Sequence, residues 1–310
     1  MGFNESVLIC DEVDHILIKI LEDNGLSVSY EPEITAQQIL EKVSNFNILI
    51  VRSRTIITKE MIDKADNCKI IARVGVGLDN VDQNAAKEKN IRVINAVEGA
   101  MNAVAELVLG LMLSLARQTT RGDRAIRNGQ WLKKELKGTE LRGKYLGIIG
   151  LGNIGKRLAR LARGLNMNII GYDVIPIDEE FSKEVGLMKA DLATLLQSSD
   201  YVSIHVPLLD STYHLLDAQK ISTMKKTAKI INTSRGGVVD EDALYEAITN
   251  GTLGGAALDV FEKEPAVGHK LAELDNVILT PHIGAQTKEA QSLAANVIGE
   301  KIIQILRGVI

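Results

Sequence analysis

Cysteine is nearly absent from this chain. Cys10 and Cys68 are its two thiols, too few for a disulfide framework and too isolated for a metal-ligand cluster. They read as small buried hydrophobes in a reducing compartment. A long hydrophobic run is missing as well: the longest strongly apolar stretch, Leu107 to Ala116, is well short of a membrane span. No basic segment opens the chain, and Asp11, Glu12 and Asp14 follow the first apolar run at once, so no secretory leader is expected. Met1-Gly2-Phe3-Asn4-Glu5-Ser6 formally fits an N-myristoylation pattern, but that pattern is short and a strand is expected from Val7. Neither sign of charge dominates. The 36 basic and 40 acidic residues leave a formal charge of -4, so no global basic field exists to hold nucleic acid or an anionic membrane. Tandem repeats and low-complexity tracts are also lacking. What remains is ordinary globular usage, 45% hydrophobic and 25% charged over 310 residues, enough chain for two domains in a cytoplasmic protein.

Short β-rich runs alternate with helical stretches from end to end, the pattern of βαβ units and parallel sheets. A first series of strand candidates is Val7–Cys10, Asn47–Val51, Lys69–Arg73 and Ile91–Asn95. A second is Tyr145–Ile149, Asn168–Asp173, Asp200–His205, Ala228–Asn232, Gly255–Val260 and Val277–Thr280. Their near-continuous Val/Ile/Leu character suits strands covered on both faces, one sheet to each lobe. Between the two series, Gly99 to Arg117 is helical in character and apolar on nearly every face. Ala103, Val104, Leu107, Val108, Leu111, Met112 and Leu115 cannot all point at one core, which predicts a helix buried all round. It would lie between the lobes or, as the slightly favoured reading, in a subunit interface.

The strongest local motif is Gly150-Leu151-Gly152-Asn153-Ile154-Gly155. A lone G-x-G-x-x-G is weak, but here a strand candidate feeds into it, a helical run follows, and the next strand candidate ends in Asp173. Gly150 permits the tight turn, Gly152 lets a pyrophosphate approach the backbone, and Gly155 allows close packing of helix on strand. Asp173 can accept hydrogen bonds from ribose hydroxyls and would repel a 2′-phosphate, so NAD is expected rather than NADP. Three later loops each follow a strand candidate: Asn232-Thr233-Ser234-Arg235-Gly236-Gly237, Asp259-Val260-Phe261-Glu262-Lys263-Glu264-Pro265 and Thr280-Pro281-His282-Ile283-Gly284-Ala285. An arginine, a carboxylate and a histidine on such loops make a hydride-transfer site plausible. The arginine fork can clamp a substrate carboxylate, the imidazole can pass a hydroxyl proton, and the carboxylate can orient the ring. Taken singly, each also has a structural reading, with His282 a satisfied loop histidine, Glu264 a solvated acid and Arg235 a clamp within the protein.

Together, GIIGLGNIG, INTSRGGVVDEDAL, GAALDVFEKEP and LTPHIGAQTKEAQ, with ARVGVGLDNVD nearer the N-terminus, resemble the D-isomer-specific 2-hydroxyacid dehydrogenases. The similarity runs from about Ile48 to Ile310. It implies an α/β protein of two doubly wound parallel-sheet lobes, a Rossmann NAD-binding domain over 99–282 and a discontinuous flavodoxin-like substrate-binding domain over 1–98 plus 283–310. The family's cleft between the lobes would close over NAD and substrate. The resemblance further implies Arg235 as substrate-carboxylate binder, Glu264 as partner of the histidine and His282 as general acid/base. Asp259 would contact the nicotinamide carboxamide, and Asn153, Ile154, Val206, Thr233, Ser234 and Gly284 would line the cofactor. By the same resemblance this would be a short form, without the regulatory C-terminal domain of longer relatives.

For the substrate, Arg52 and Arg54 follow one strand candidate and Arg73 ends the next. Residues two apart on a strand share a face, so three guanidinium groups are expected to converge, more charge than one carboxylate needs. Gly75-Val76-Gly77 follows as a turn whose amides could bind the carboxylate, which adds Val74, Gly75 and Val76 to the expected substrate-binding residues. A small 2-hydroxy acid with a phosphate at its far end would use the surplus; solvated arginines are the plainer reading. Val76 departs from some relatives, which carry threonine there, and the roles of Lys133 and Lys134 are left open. The rivals are glyoxylate, hydroxypyruvate or D-lactate as substrate and, in another class, an NAD-sensing transcriptional corepressor. No nucleic-acid or membrane partner and no metal are expected, and a homodimer or dimer of dimers would form through the 99–117 region. His15, His205, His214 and His269 have no acid–base partner visible in sequence, and Trp131 is read as an interface residue.

Overall fold

Ile48-Leu49-Ile50-Val51 is buried at every position, and the two faces of such a strand need separate covers. Alternation sorts them. Val7, Ile9, Ile48, Ile50 and Ile70 enter one apolar cluster together with Ala294, Ile298 and Ile302. Their chain neighbours Leu8, Leu49, Val51 and Ile71 enter another, with Ile39, Met61 and Ile62. Successive strand side chains point to opposite faces, so a period of two builds two cores around one sheet. Each fully buried aliphatic side chain there contributes roughly 1.5–3 kcal/mol. Asp14, Thr35, Thr58 and Asp82 each accept a backbone N–H and so start the helices that supply the covers.

The structure, a computed structural model, describes residues 3–309; Met1 and Gly2, on which the myristoylation pattern rests, and Ile310 lie outside the described residues. The chain divides into two units, Met1–Met101 with Ala285–Ile310, and Asn102–Gly284. The expected boundaries at 98/99 and 282/283 fall beside these. In the first unit β1 (Ser6–Ile9), β2 (Ser27–Tyr30), β3 (Ile48–Val51), β4 (Ile70–Arg73) and β5 (Arg92–Asn95) form one sheet. Its order is β2-β1-β3-β4-β5 and all its pairs are parallel, the flavodoxin-like arrangement. The helix Lys288–Leu306 returns to this unit, as the resemblance implies.

In the second unit β6 (Tyr145–Ile149), β7 (Asn168–Tyr172), β8 (Leu187–Lys189), β9 (Tyr201–Ile204), β10 (Lys229–Asn232), β11 (Gly255–Leu258) and β12 (Val277–Leu279) run in the order β12-β11-β10-β9-β6-β7-β8. Every pair is again parallel. This is the Rossmann order with one strand added, and its direction reverses between β6 and β9. Register brings the strand ends level: Ile149 lies beside Ile204, Ile204 beside Asn232, Asn232 beside Leu258, and Leu258 beside Leu279. The loops that follow therefore leave from one edge.

Two expectations need correcting. The helix begins at Met101 rather than Gly99, and it is not buried all round: Asn102, Glu106, Gly110, Leu113 and Arg117 form an exposed stripe at spacings of three and four. The edge strands β2 and β8 lie where no strand was expected, because exposed positions break their apolar pattern. Among the described residues no helix is long and apolar enough to cross a membrane.

Both thiols are buried, and burial pushes each up to about 12. Below that pH they stay protonated, and the thiol is a poor nucleophile. A thiol-specific disulfide reagent at pH 8 is thus expected to find no reactive group in the native protein and two after denaturation; a fast native reaction would contradict this placement.

Candidate active site

The glycine turn after β6 is built on close approaches. Gly150 has φ +92°, and a Cβ there would lie 2.6 Å from His205 O. A Cβ on Gly155 would lie 2.1 Å from Gly150 O, so the helix Asn153–Gly164 can pack this tightly only on glycine. Above Gly152 an added Cβ would meet nothing within 4 Å. Gly152 caps the helix without a side-chain acceptor, so the first helical amides are open to an anion. Asp173 braces the turn: its Oδ2 accepts Leu151 N–H at 2.6 Å and its Oδ1 accepts Ile175 N–H at 2.9 Å. Asn153 and Ile154 form the first turn of the helix, and Val206 lies against Gly150. Next to it, His205 Nε2 meets Ser203 Oγ at 2.8 Å. Burial lowers the His205 imidazole to about 4, so it is neutral at pH 7.

Three loops leave β10, β11 and β12. Asn232, 1% exposed, organises the first: its Oδ1 accepts Ser234 N–H at 3.0 Å and Ser234 Oγ–H at 2.8 Å, while its Nδ2 donates to Arg235 O at 2.8 Å. Arg235 Nη1 donates to Ser234 O at 2.7 Å. Thr233 Oγ1 is buried with no hydrogen-bond partner among the described residues, an orphaned group that a bound cofactor could satisfy. Asp259 is fully buried and its carboxylate holds the third loop. Oδ1 accepts from Thr280 Oγ1 at 2.6 Å and Ile283 N–H at 2.8 Å, and Oδ2 accepts Gly284 N–H at 2.8 Å. The expectation placed Asp259 on the nicotinamide; the structure gives its two oxygens to this loop and closes them off from solvent.

Between those anchors stands His282, with φ +54°, a left-handed conformation uncommon outside glycine. Its Nδ1 meets Glu264 Oε2 at 2.9 Å, and Glu264 Oε1 accepts Phe261 N–H at 3.1 Å. An ionised carboxylate only accepts, so Nδ1 carries the proton and Nε2 is the nitrogen left to exchange one. The arrangement can therefore orient a base and, through the Arg235 fork, hold an anion. Asn232 and Asp259 escaped the sequence reading as braces because both lie inside motifs read for what they would offer a ligand.

The first unit brings fewer of its arginines together than expected. β3 ends at Val51, so Arg52 and Arg54 are loop residues and the strand alternation does not apply to them. Arg54 stays about half exposed but is engaged: its guanidinium donates to Pro32 O at 2.7 Å, Ile34 O at 3.1 Å and Cys10 O, and pairs with Asp11 Oδ1 at 3.1 Å. Asp11, 2% exposed, also accepts from Thr55 Oγ1 at 2.6 Å. Arg54 thus clamps its loop to the segments that follow β1 and β2. Arg52 Nη1 reaches Glu12 O at 3.1 Å. Arg52, Val74 and Gly75 line one hollow, with Ala96 and Gln291. Arg73 lies over the turn, where a Cβ on Gly75 (φ +154°) would be 2.2 Å from its Nη1, and Val76 is tied to Asn95 through its carbonyl. Lys133 and Lys134 are exposed. Two histidines do find carboxylates: His214 Nε2 meets Glu262 Oε1 at 3.0 Å, and His269 Nε2 meets Glu241 Oε2 at 2.8 Å.

Residues 109–284 match the NAD binding domain of the D-isomer specific 2-hydroxyacid dehydrogenases. A D-3-phosphoglycerate dehydrogenase of Methanocaldococcus jannaschii is 44% identical over 303 residues, 97% of this chain and 57% of that protein. A hydroxypyruvate reductase of Thermotoga maritima is also 44% identical, over 284 residues, 89% of this chain and 92% of that one. A Thermus thermophilus protein of known crystal structure superposes with a TM-score of 0.89 at 33% identity, covering 98% of this chain and 97% of its own. The chain belongs to the D-isomer specific 2-hydroxyacid dehydrogenase family, and its cofactor is NAD. It spans a little over half the length of the Methanocaldococcus protein.

The glycine turn makes a direct prediction. In Gly155→Ala the added methyl must push the helix off Gly150 O, so NADH affinity is expected to fall at least tenfold and stability by about 1–3 kcal/mol. Titration calorimetry and thermal melts measure both; unchanged NADH binding would show that the close approach is not needed.

Proposed function

We propose that this chain is an NAD-dependent dehydrogenase that oxidises D-3-phosphoglycerate to 3-phosphohydroxypyruvate. The observation that carries the chemistry is the Glu264–His282 hydrogen bond, 2.9 Å from Oε2 to Nδ1, on a loop beside that of Arg235. The chemistry supplied by NAD is acceptance of the hydride from C2. His282 takes the hydroxyl proton on Nε2, and Glu264 holds the ring in the tautomer that leaves Nε2 free and steadies the imidazolium. Arg235 binds the substrate carboxylate in two-point geometry and stabilises the charge that develops on the C2 oxygen in the reverse direction.

The phosphorylated substrate is supported by the names of the Methanocaldococcus relative and of an Archaeoglobus fulgidus relative, also a D-3-phosphoglycerate dehydrogenase, at 40% identity. Arg52, on the hollow it shares with Val74 and Gly75, is the residue assigned to the phosphate. Hydroxypyruvate reduction is the second reading, favoured by the Thermotoga relative, whose length this chain nearly spans, and by the engagement of Arg54 with the carbonyls of Pro32 and Ile34. Initial rates with NADH decide between them. Phosphohydroxypyruvate is expected to exceed hydroxypyruvate, glyoxylate and pyruvate in kcat/KM by a hundredfold or more, about 2.7 kcal/mol, and Arg52→Ala to erase most of that margin. Equal rates would sink the phosphate assignment and leave the dehydrogenase standing. Absence of turnover on every 2-keto acid would favour the corepressor class instead.

The protein acts as a homodimer through the region that follows Asn102. Leu113 is 43%, Ile126 56% and Trp131 78% exposed, apolar surface that a monomer would leave in water. Light scattering after gel filtration is expected to give twice 33.8 kDa for the wild type and a monomer for the double variant Leu113→Asp, Trp131→Asp. A monomeric wild type would overturn this part of the reading.

A further inference from the structure

Glu241 is a carboxylate only 7% exposed, outside the set formed by Arg235, Glu264 and His282. It is the first residue of the helix Glu241–Thr249, which is capped by Asp240. Its side chain turns instead to the loop after β11: Oε1 accepts Glu262 N–H at 2.7 Å and Oε2 meets His269 Nε2 at 2.8 Å. The exchange is returned, since Glu262 Oε1 accepts Glu241 N–H at 3.2 Å and meets His214 Nε2 at 3.0 Å. His269 Nδ1 accepts Leu271 N–H at 3.2 Å, so its proton is on Nε2 and is donated to Glu241. Two carboxylates and two amides thus close a ring between helix and loop, each carboxylate carrying one histidine. His214, Asp240 and Glu262 bring ligand atoms within 4.8 Å of one another. Their geometry is nevertheless accounted for by these bonds and by Asp240 Oδ1, which accepts Ala243 N–H at 2.9 Å.

The loop held by this ring is the one that bears Glu264. Phe261 N–H donates to Glu264 Oε1, and Glu264 Oε2 holds His282. On the far side of the same segment lies Gly236, next to Arg235, where a Cβ would stand 1.9 Å from Phe261 C and 2.3 Å from Glu262 N. Residues 261–264 are therefore wedged between the arginine loop and the ring.

We propose that Glu241, through its reciprocal pairing with Glu262, is a positioning residue for the proton-transfer pair: it fixes the backbone at 261–262 so that Glu264 presents Oε2 to His282 Nδ1. This rests on the reading of His282 as the general acid/base. A displacement of the carboxylate by about an ångström weakens its hold on the imidazole and can cost about a hundredfold in rate.

The test compares wild type, Glu241→Ala, Glu241→Gln, Glu262→Ala and His282→Ala. Their kcat and KM are measured with NADH and phosphohydroxypyruvate or hydroxypyruvate, whichever wild type turns over faster, between about pH 6 and pH 10, together with NADH affinity and melting temperature. Glu241→Ala is expected to lower kcat about ten- to a hundredfold, to move the apparent pKa of the kcat profile, and to leave NADH affinity within about twofold. Glu241→Gln, which keeps an acceptor for Glu262 N–H but turns an amide donor toward His269 Nε2–H, should recover part of the rate. A lower melting temperature with an unmoved kcat and pH profile would make Glu241 a stability residue only and overturn the proposal. Should Glu241→Ala fail to fold, Glu262→Ala and Glu241→Gln carry the same comparison, the former with a smaller shift in the same direction. An active His282→Ala would overturn the underlying acid/base reading, whereas an inactive one beside a wild-type-like Glu241 profile would overturn the positioning role alone.

Discussion

A parallel strand cannot return through a tight turn, and every strand in both sheets of this protein is parallel to its neighbours. Each strand must be reached by a crossover, so all of them point the same way and end at the same edge. In the second unit the register makes those ends level from Ile149 to Leu279. That constraint, rather than any local motif, sets the glycine turn, the Arg235 loop, the Asp259 loop and the His282 loop along one rim. Asp259 N–H donates to Asn232 O and Thr280 N–H to Leu258 O, each at 2.9 Å, extending the ladder one step into the loops. The residues of the site inherit their spacing from the strands.

What the sheet does not supply is the exact course of each loop, and here one device recurs. A carboxylate or amide withdrawn from water needs internal donors, and an irregular loop has backbone amides that need acceptors. Asp11 meets the amides and hydroxyl of the 52–55 loop, Asp173 those of the glycine turn, Asn232 that of Ser234 and Asp259 those after His282. Hydrogen bonds to a charged acceptor contribute about 1.5–3 kcal/mol each. The left-handed backbone at His282 costs about 1–2 kcal/mol, so the Asp259 bonds suffice to hold it. The backbone of His282 is kept in an unfavourable conformation by an acid that grips its neighbours Thr280, Ile283 and Gly284.

The division between what could and could not be read from the chain follows from the same physics. Central strands were legible because burial on both faces demands apolar residues at every position, as at Ile48–Val51. The edge strands Ser27–Tyr30 and Leu187–Lys189 were not, because one side of each has no neighbour and polar residues are tolerated. The stripe of Asn102, Glu106, Gly110, Leu113 and Arg117 was hidden by the glycine and leucine within it, which look apolar in a composition count and exposed only in space. Glu264 with His282 was legible because both stand in short motifs. The partners of Arg54, His214 and His269 were not, since each lies between 20 and 48 residues away and only the fold selects among the many acids and carbonyls at such distances.

Arg54 carries the most consequence for specificity. A guanidinium has five donors in a fixed plane, and in Arg54 these reach Cys10 O, Pro32 O and Ile34 O while the charge faces Asp11. Recruiting it to a substrate anion would take the ion pair from a nearly buried carboxylate and the donors from three carbonyls, a loss that one surface phosphate contact does not offset. Of the two neighbours, Arg52 is the one proposed for a phosphate: its amide is held by Asp11, while its side chain reaches Glu12 O at 3.1 Å. The buried acid thus divides two neighbouring arginines between architecture and recognition. On the proposed phosphorylated substrate, selectivity for its tail would rest first on Arg52 and the turn at Val74–Val76, with Arg54 spent on architecture.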